Sequence, residues 1–599
     1  LPGSLRAWAT TVTRIAREAP VTALAFALAC VLFGGLVVAQ LASLSLPLLV
    51  FEGHHWRQSF TYGVAWNFAH ATMDVLRPRM FVELGQSNVV PMEAPLYPLL
   101  ASVSLRLGDG TIGPRLLSWS GLVATVFVSW RWLADPRGGA EALPERAGLL
   151  VALGLAPMVA VDFRSIQPEP FAAGLAILSA FFFARYGESS RAGDAAKGAV
   201  CFGLSLLSKP LALGVAPALL LLASGASRGW TRRGIVAAAA LAIASVPWAA
   251  YDRWAHHLLA TALHGDWVIE IEHPPRKMFE SLVRGEYTSE VLLNHLPHYA
   301  TSWWLAPATV LGVYRGLAEP RWRRLAIPML AWLAGYMVEL LAVGVRLHSN
   351  AYYFILAAAP LAWFAALGLG ALVRLLGAER ARVGTPVLCA GLACLVLLPI
   401  GWACSRASSW ANASLFEAAA LGFERNRGVW TSPLGLARLV AVLVSIFAVG
   451  PRLRARRVPR WIGVGVLAVM AGLAVRPARD RDQFFRAYVG ASRRPGFDEE
   501  LRALRAAVDR YSGRADRIVV SPGGTYREPH MIAFFYALRN GFARDRVSAR
   551  ELRELERRGA RLYLQIDQAA SASKPPPDGR LLATGRWWRL SCVASDGCN

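Results

Sequence analysis

The chain has 599 residues, 55% of them hydrophobic and 21 of them Trp, with a mean hydropathy of +0.37. A soluble enzyme could not shelter that much apolar side chain, so the composition is that of an integral membrane protein. The formal charge of +24 would point to nucleic acid in a soluble chain, but here most Arg residues fall in short stretches between apolar runs, the pattern that orients membrane segments, and no nucleic-acid partner is expected.

A membrane-crossing helix needs roughly 20 apolar residues, fewer where it lines a protein interior. Such runs lie at 21–50, 114–134, 148–163, 169–185, 197–208, 210–225, 234–251, 301–316, 325–345, 351–375, 385–404, 434–450 and 461–475, about thirteen in all. The first lacks a small-residue cleavage signature and reads as a retained span. The fifth and sixth are short and meet at Ser208-Lys209-Pro210, so one kinked helix is an alternative there. The N-terminal Arg6, Arg14 and Arg17, and the loop after every even-numbered run, are basic. Those loops carry Arg131 and Arg146, Arg185 and Lys197, Arg232 and Arg233, Arg315 and Arg323, Arg374 and Arg380, and Arg452 to Arg460. Lys/Arg bias then places the N-terminus in the cytoplasm. The long loops 51–113 and 252–300 and the C-terminal tail fall on the outer side.

The first loop opens on Phe51-Glu52-Gly53-His54-His55-Trp56-Arg57-Gln58, directly after the first span. An interfacial cap anchored by Trp56 and Arg57 is one reading. Caps rarely need Glu, paired His and Gln together, and so many ionisable groups at a membrane exit favour a site. Phe60, Val64, Phe68, Ala71 and Val75 then recur at helical spacing, predicting an amphipathic helix along the membrane surface. Its N-terminal backbone N–H groups would favour an anion such as a lipid phosphate. Pro91-Met92-Glu93-Ala94-Pro95-Leu96-Tyr97-Pro98 adds a second carboxylate in a proline-rich segment.

The other outer loops are short and polar: Asp162-Phe163-Arg164-Ser165-Ile166-Gln167-Pro168-Glu169, Lys209, and Arg346-Leu347-His348-Ser349-Asn350-Ala351-Tyr352-Tyr353. Each alone reads as a solvated turn; together they put cations, His and Tyr on the side of Glu52 and Glu93. Loop 252–300 holds His256, His257, His264, Asp266, Glu270, Glu272 and His273 without a metal motif, and reads as a lid or acceptor surface. No cofactor is assigned, and whether a divalent metal is required stays open. Beyond Arg476 the composition turns charged. Helices are predicted over 497–511, 529–540 and 548–558, and strands over 517–521, 560–566 and 581–593. That alternation predicts a small extracytoplasmic α/β domain over 476–599, behind a transmembrane domain over 1–475. Cys592 and Cys598 could pair there in an oxidising compartment.

With these residues in view, the chain resembles the GT-C superfamily of polytopic glycosyltransferases, in the branch of the protein O-mannosyltransferases and the bacterial lipid A aminoarabinose transferase. The likeness rests on Glu52 with His54 to Gln58, Glu93 to Pro98, Arg115, Pro168-Glu169, Lys209-Pro210, His348 with Tyr352-Tyr353, and Tyr536 to Gly541. The resemblance implies a GT-C-like polytopic α-helical fold. It further implies a polyprenyl-phosphate-linked sugar donor used at the outer face, with inverting transfer to a glycan, lipid or protein acceptor. Glu52 takes the place of the family's acidic residue, commonly Asp, and is assigned as base, with Glu93 as rival base or as a carboxylate orienting Arg57. Arg57, Lys209 and Arg346 are assigned to the donor phosphate, the more so because Ala94 stands where relatives often carry Lys. His55, Gln58, Glu169, His348, Tyr352 and Tyr353 are assigned to sugar or acceptor binding, Glu169 also suiting a helix start. A transporter or flippase for a lipid-linked saccharide is the alternative, although no inverted repeat is visible. An assembly factor that kept the fold without the activity is a third reading.

Overall fold

The computed structural model describes residues 19–45, 55–83, 88–91, 93–108, 110–134, 141–225, 230–261, 300, 305–343, 351–377, 497–513, 516–522, 539–543, 547–566, 580–585, 588–594 and 598. The predicted runs at 385–404, 434–450 and 461–475 and residues 529–538 of the predicted helix 529–540 lie outside the described residues, as does loop 252–300 beyond residue 261 apart from residue 300; Arg539 and Asn540 are described and not helical.

Among the described residues the membrane part comprises α1 (Pro20–Ala42), α2 (His55–His70), α3 (Leu96–Leu105), α4 (Ile112–Trp132), α5 (Leu143–Leu155), α6 (Pro157–Asp162), α7 (Pro168–Ser189), α8 (Ala192–Ser208), α9 (Ala216–Ser224), α10 (Trp230–Thr261), α11 (Ala306–Ala318), α12 (Pro320–Val343) and α13 (Ala358–Gly377). Five helices here are long and apolar enough to cross a membrane: Val21–Ala42, Ile112–Trp132, Pro168–Ser189, Arg232–Thr261 and Tyr352–Arg374. The outermost of them present Leu24, Leu28, Val31 and Val38 on α1, and Ile235, Ile243 and Val246 on α10, as exposed apolar side chains, as a helix facing lipid should. The α13 helix is buried along most of its length, with Trp363, Phe364 and Leu367 fully enclosed, and α5 and α11 pack on it.

Several boundaries differ from the expectation, each for a local reason. The first span ends at Ala42 and not at residue 50, in a turn where the Ser43 hydroxyl donates to the Gln40 carbonyl. The predicted run 148–163 is two helices, because Pro157 has no N–H to continue α5. The Lys209-Pro210 junction is a break: α8 stops at Ser208 and Pro210–Val215 forms a 3-10 turn before α9. The tenth run likewise opens as a 3-10 turn, Ala351–Ala357. The eighth run is helical from Ala306 onward. The seventh is far longer than predicted. Its 32 residues make a helix of roughly 48 Å, against a hydrocarbon core of about 30 Å, so the opening of loop 252–300 is its projecting end.

The α2 helix corrects the expectation of a surface-lying amphipathic helix. Residues 57–68 are buried on every side, polar Ser59, Thr61 and Asn67 included, so protein and not lipid covers it. It stops at His70, leaving Ala71 and Val75 outside. Asp74 lies beyond it, its carboxylate accepting the Leu76 and Arg77 N–H groups in a turn.

What covers α2 is the rest of the first loop and a sheet. The strands are β1 (Val82–Glu83), β2 (Arg517–Pro522), β3 (Gly541–Ala543), β4 (Ala560–Ile566), β5 (Arg580–Thr584) and β6 (Trp588–Cys592), in the order β1-β3-β2-β4-β6-β5. The β1, β3, β2 and β4 strands run parallel; β6 and β5 close the sheet antiparallel. The predicted single strand over 581–593 is this β5–β6 hairpin, turned at Gly585, whose N–H donates to the Trp588 carbonyl. Helices α14 (Phe497–Tyr511) and α15 (Ala549–Arg557) accompany the strands, α15 opening on a capping box between Ser548 and Glu551. Only glycine fits at Gly541, since a Cβ there would lie 1.8 Å from the Ile518 carbonyl oxygen. The first loop thus supplies the edge strand of a sheet otherwise built from the C-terminal part. Tyr62, Trp66 and Phe81 share one apolar core with Leu504, Ile518, Leu562 and Leu590. Cys592 and Cys598 form a disulfide, with Cα atoms 5.8 Å apart.

Candidate active site

Four ionisable side chains from four separate stretches converge beside the first turns of α2. Arg57 lies there, Glu93 in the turn before α3, Glu169 in the first turn of α7, and Lys209 at the break between α8 and the 3-10 turn. Arg57 Nη2 and Lys209 Nζ each donate to Glu93, one to either carboxylate oxygen. Lys209 Nζ also stands 2.8 Å from Glu169 Oε1, and Arg57 Nη2 is 3.6 Å from it. Arg57, Lys209 and Glu169 are almost fully buried; the Glu93 side chain is 19% exposed and is the member that reaches outward.

Local chemistry explains why each group is where it is. Glu169 follows Pro168 at the start of a helix, where unsatisfied N–H groups favour an anion. The break imposed by Pro210 frees Lys209 from helical geometry and points its backbone into an extended conformation. Two cations and two anions leave the cluster neutral, which is what allows charges to be held away from water at all. Burial by itself would push the Glu93 carboxyl up; the charges of Arg57 and Lys209 and the hydrogen bonds from both outweigh it and hold Glu93 below its ordinary value. Burial works against the charged forms of Arg57 and Lys209 too, and the two carboxylates more than reverse it, so both stay protonated.

A small cleft, open to solvent, lies beside this cluster, lined by Arg57, Phe60, Thr61, Val64, Pro78, Val90, Glu93, Ala94, Pro95, Pro98, Pro168 and Ser208. Tyr353 lies under the Lys209 ammonium, 4.9 Å from ring centroid to Nζ, with Tyr352 against it at 4.5 Å between centroids. The Tyr336 hydroxyl donates to the Tyr353 carbonyl and fixes that turn. Gln58 faces the loop before α7, its Oε1 accepting the Ile166 N–H at 2.8 Å.

Of the residues singled out from the sequence, Arg57, Gln58, Glu93, Glu169, Lys209, Tyr352 and Tyr353 are therefore brought to one neighbourhood. Glu52, Arg346 and His348 lie outside the described residues, and of His55 only the backbone, at the start of α2, is described. Arg115 serves the scaffold: fully buried, it donates to the Ser43 and Leu44 carbonyls at the end of α1. Among the described residues no three His, Cys, Asp or Glu side chains gather as a metal would need.

The basic loops after the second, eighth and tenth runs meet one another. Buried Glu145 binds Arg315 at 2.8 Å and Arg374 at 2.6 Å. Glu169 and Arg185 mark opposite ends of α7, as Tyr352 and Arg374 mark opposite ends of the tenth run. Site and basic belt therefore occupy the two ends of the helix bundle.

The structure of ArnT from Cupriavidus metallidurans bound to undecaprenyl phosphate superposes with a TM-score of 0.55 at 15% identity, over 94% of this chain and 98% of that one. The chain has the GT-C fold. The apo state of the same ArnT gives 0.53 at 16% identity over the same shares. No protein-family model matches the sequence, and no curated protein matches it significantly. Together with its apolar helices, the GT-C fold makes this a multi-pass membrane protein.

Within the GT-C fold one residue of the site neighbourhood escaped the sequence reading. Tyr251, on α10, packs against Ala94 and Leu207, between the Glu93 turn and the end of α8. Its signal was masked because an aromatic at the end of a hydrophobic run reads as an interfacial anchor.

Proposed function

We propose that the chain is an inverting glycosyltransferase that moves a sugar from a polyprenyl-phosphate donor to a lipid, polysaccharide or protein acceptor at the outer face of the bacterial inner membrane. The observation that carries this reading is the buried Arg57–Glu93–Lys209–Glu169 cluster beside a cleft in a GT-C fold. The neighbouring ArnT structure, by its own description, holds undecaprenyl phosphate. The Cys592–Cys598 disulfide supports a periplasmic C-terminal α/β domain over 476–599, and the basic belt supports a cytoplasmic N-terminus for the transmembrane domain over 1–475.

In this reading Glu52 takes the proton of the acceptor hydroxyl. The acceptor oxygen attacks the anomeric carbon from the face opposite the phosphate, the glycosidic C–O bond breaks, and its electron pair leaves on the polyprenyl phosphate. General-base help of this kind is worth about 10²–10⁴ in rate. Arg57, Lys209 and Arg346 receive the developing phosphate charge in a site poor in water. Glu93 and Glu169 keep the first two cations charged and in place before the donor arrives. His55, Gln58, Tyr352, Tyr353 and His348 border the sugar and acceptor.

The test is incubation of the purified protein with a polyprenyl-phosphate sugar. Release of polyprenyl phosphate together with glycosylated acceptor is expected, and Glu52→Gln should abolish it while the protein still folds in membranes. Movement of the intact donor between leaflets with no release would favour a flippase instead, and full activity in Glu52→Gln would remove Glu52 as the base.

A further inference from the structure

Among the described residues, two buried hydrogen-bond donors near Glu93 find no acceptor. Arg57 Nε, on a guanidinium whose Nη2 already serves Glu93, meets no hydrogen-bond partner. The Tyr251 hydroxyl is equally orphaned, on a side chain only 9% exposed. Leaving such a group unpaired away from water costs about 1–3 kcal/mol, and proteins rarely leave one so without a use. The placement of Tyr251 is specific: its ring rests on Ala94, a wall of the cleft and the residue next to Glu93, and on Leu207, two residues before Lys209. Glu93 acts on it electrostatically. Because Ala94 has only a methyl group, the ring from α10 packs directly against this wall. An orphaned N–H and an orphaned O–H flanking one carboxylate call for an oxygen acceptor, and an anionic one gains most from both.

We infer that Tyr251 is a ligand-binding residue of this site, its hydroxyl donating to a phosphate oxygen that Arg57 Nε also engages. The inference rests on the donor-phosphate reading above and adds α10 as a wall of the phosphate subsite. The phosphate could belong to a lipid headgroup or be free phosphate; the chemistry recognised is the same.

Tyr251→Phe removes one oxygen and keeps the ring on Ala94 and Leu207. Binding to the purified full-length chain is measured by calorimetry with polyprenyl phosphate, polyprenol and inorganic phosphate as separate probes. A lost hydrogen bond to a charged group should weaken polyprenyl phosphate by about ten- to a hundredfold and leave polyprenol unchanged. The melting temperature of the unliganded variant should be equal or higher, because the deleted oxygen has no partner among the described residues. Wild-type binding that Tyr251→Phe does not weaken overturns the role of Tyr251 and leaves the carrier reading standing. A lowered melting temperature with unchanged binding overturns it too, making the hydroxyl structural. Tyr251-dependent binding of inorganic phosphate without binding of the lipid sustains the subsite and sinks the lipid carrier. A wild type that binds neither phosphate probe sinks both.

Discussion

Glu93 is held between two cations, and its value to the protein depends on staying ionised. Removing one member of a buried ion pair costs about 3–5 kcal/mol, because the partner's charge is left uncompensated. Glu93→Gln should fall near the lower end, since Glu169 still faces Lys209 and Glu93 is part exposed. A drop in the melting temperature of the purified protein by several degrees is expected, with transfer lost; an unchanged melting temperature would show that the pairs contribute nothing. The pH dependence has a definite sign. A carboxylate held below its ordinary value of 4.5 contributes stability that is complete above that value and is lost as pH falls through its lower folded value. Melting curves of wild type and Glu93→Gln should therefore stand apart at neutral pH and converge in acid. Parallel curves down to the acid limit would contradict the ionised pair.

At the scale of elements, the cluster depends on how closely α4 and α7 approach. A Cβ on Gly121 would fall 1.9 Å from the Pro170 carbonyl oxygen, and one on Gly174 would lie 2.5 Å from the Gly121 Cα. Glu169 is adjacent to Pro170, so this contact sets its distance from Lys209. Gly121→Val must push α7 away; overpacking of this kind costs about 1–3 kcal/mol. Expected are a lower melting temperature and a loss of transfer larger than the loss of folded protein. An active variant with wild-type stability would show that the helices have room to part. Elements of this sort were legible in the sequence where one property decided them. The helix at Phe497–Tyr511 and the strand at Ala560–Ile566 fall on their predicted residues because pattern and propensity agree there. The α2 helix was legible as a helix and misread in its setting. Phe60, Val64 and Phe68 mark an apolar face, but nothing local shows that Ser59, Thr61 and Asn67 are buried as well. Part of the cover is distant: Asn67 pairs with Asn540, just before β3.

At the scale of the whole molecule, two buried clusters of ion pairs stand out among the described residues, one at each end of the bundle. The second is the more scaffold-like. Glu145 holds Arg315 and Arg374, and Arg315 continues to Glu319 at 2.5 Å. Glu145→Ala should cost about 3–5 kcal/mol and lower the yield of folded protein, while whatever folds keeps its affinity for polyprenyl phosphate. Weakened binding by well-folded protein would tie this belt to the site. The sequence made the segregation readable, because Lys/Arg bias alone sorts loops by side. It could bring Glu52, Glu93, Lys209 and Tyr352 to the same face, but not say that Glu93 and Glu169 would bracket two cations. Those contacts join stretches far apart in the chain, and spacing carries no information about such pairs.

The reciprocal amide pair between Asn67 and Asn540 joins residues 473 positions apart, at 3.1 and 3.3 Å, and among the described residues β1 pairs with β3 alone. During synthesis the early helices emerge long before Asn540 exists, so α2 must wait, partly uncovered, until nearly the whole polypeptide has been made. Pairings of such separation form late and slowly, and domains generally complete themselves in the order of translation. Assembly of the pocket floor is therefore deferred to the end of biogenesis. A nascent or truncated product can be inserted in the bilayer and still lack the finished cover of α2.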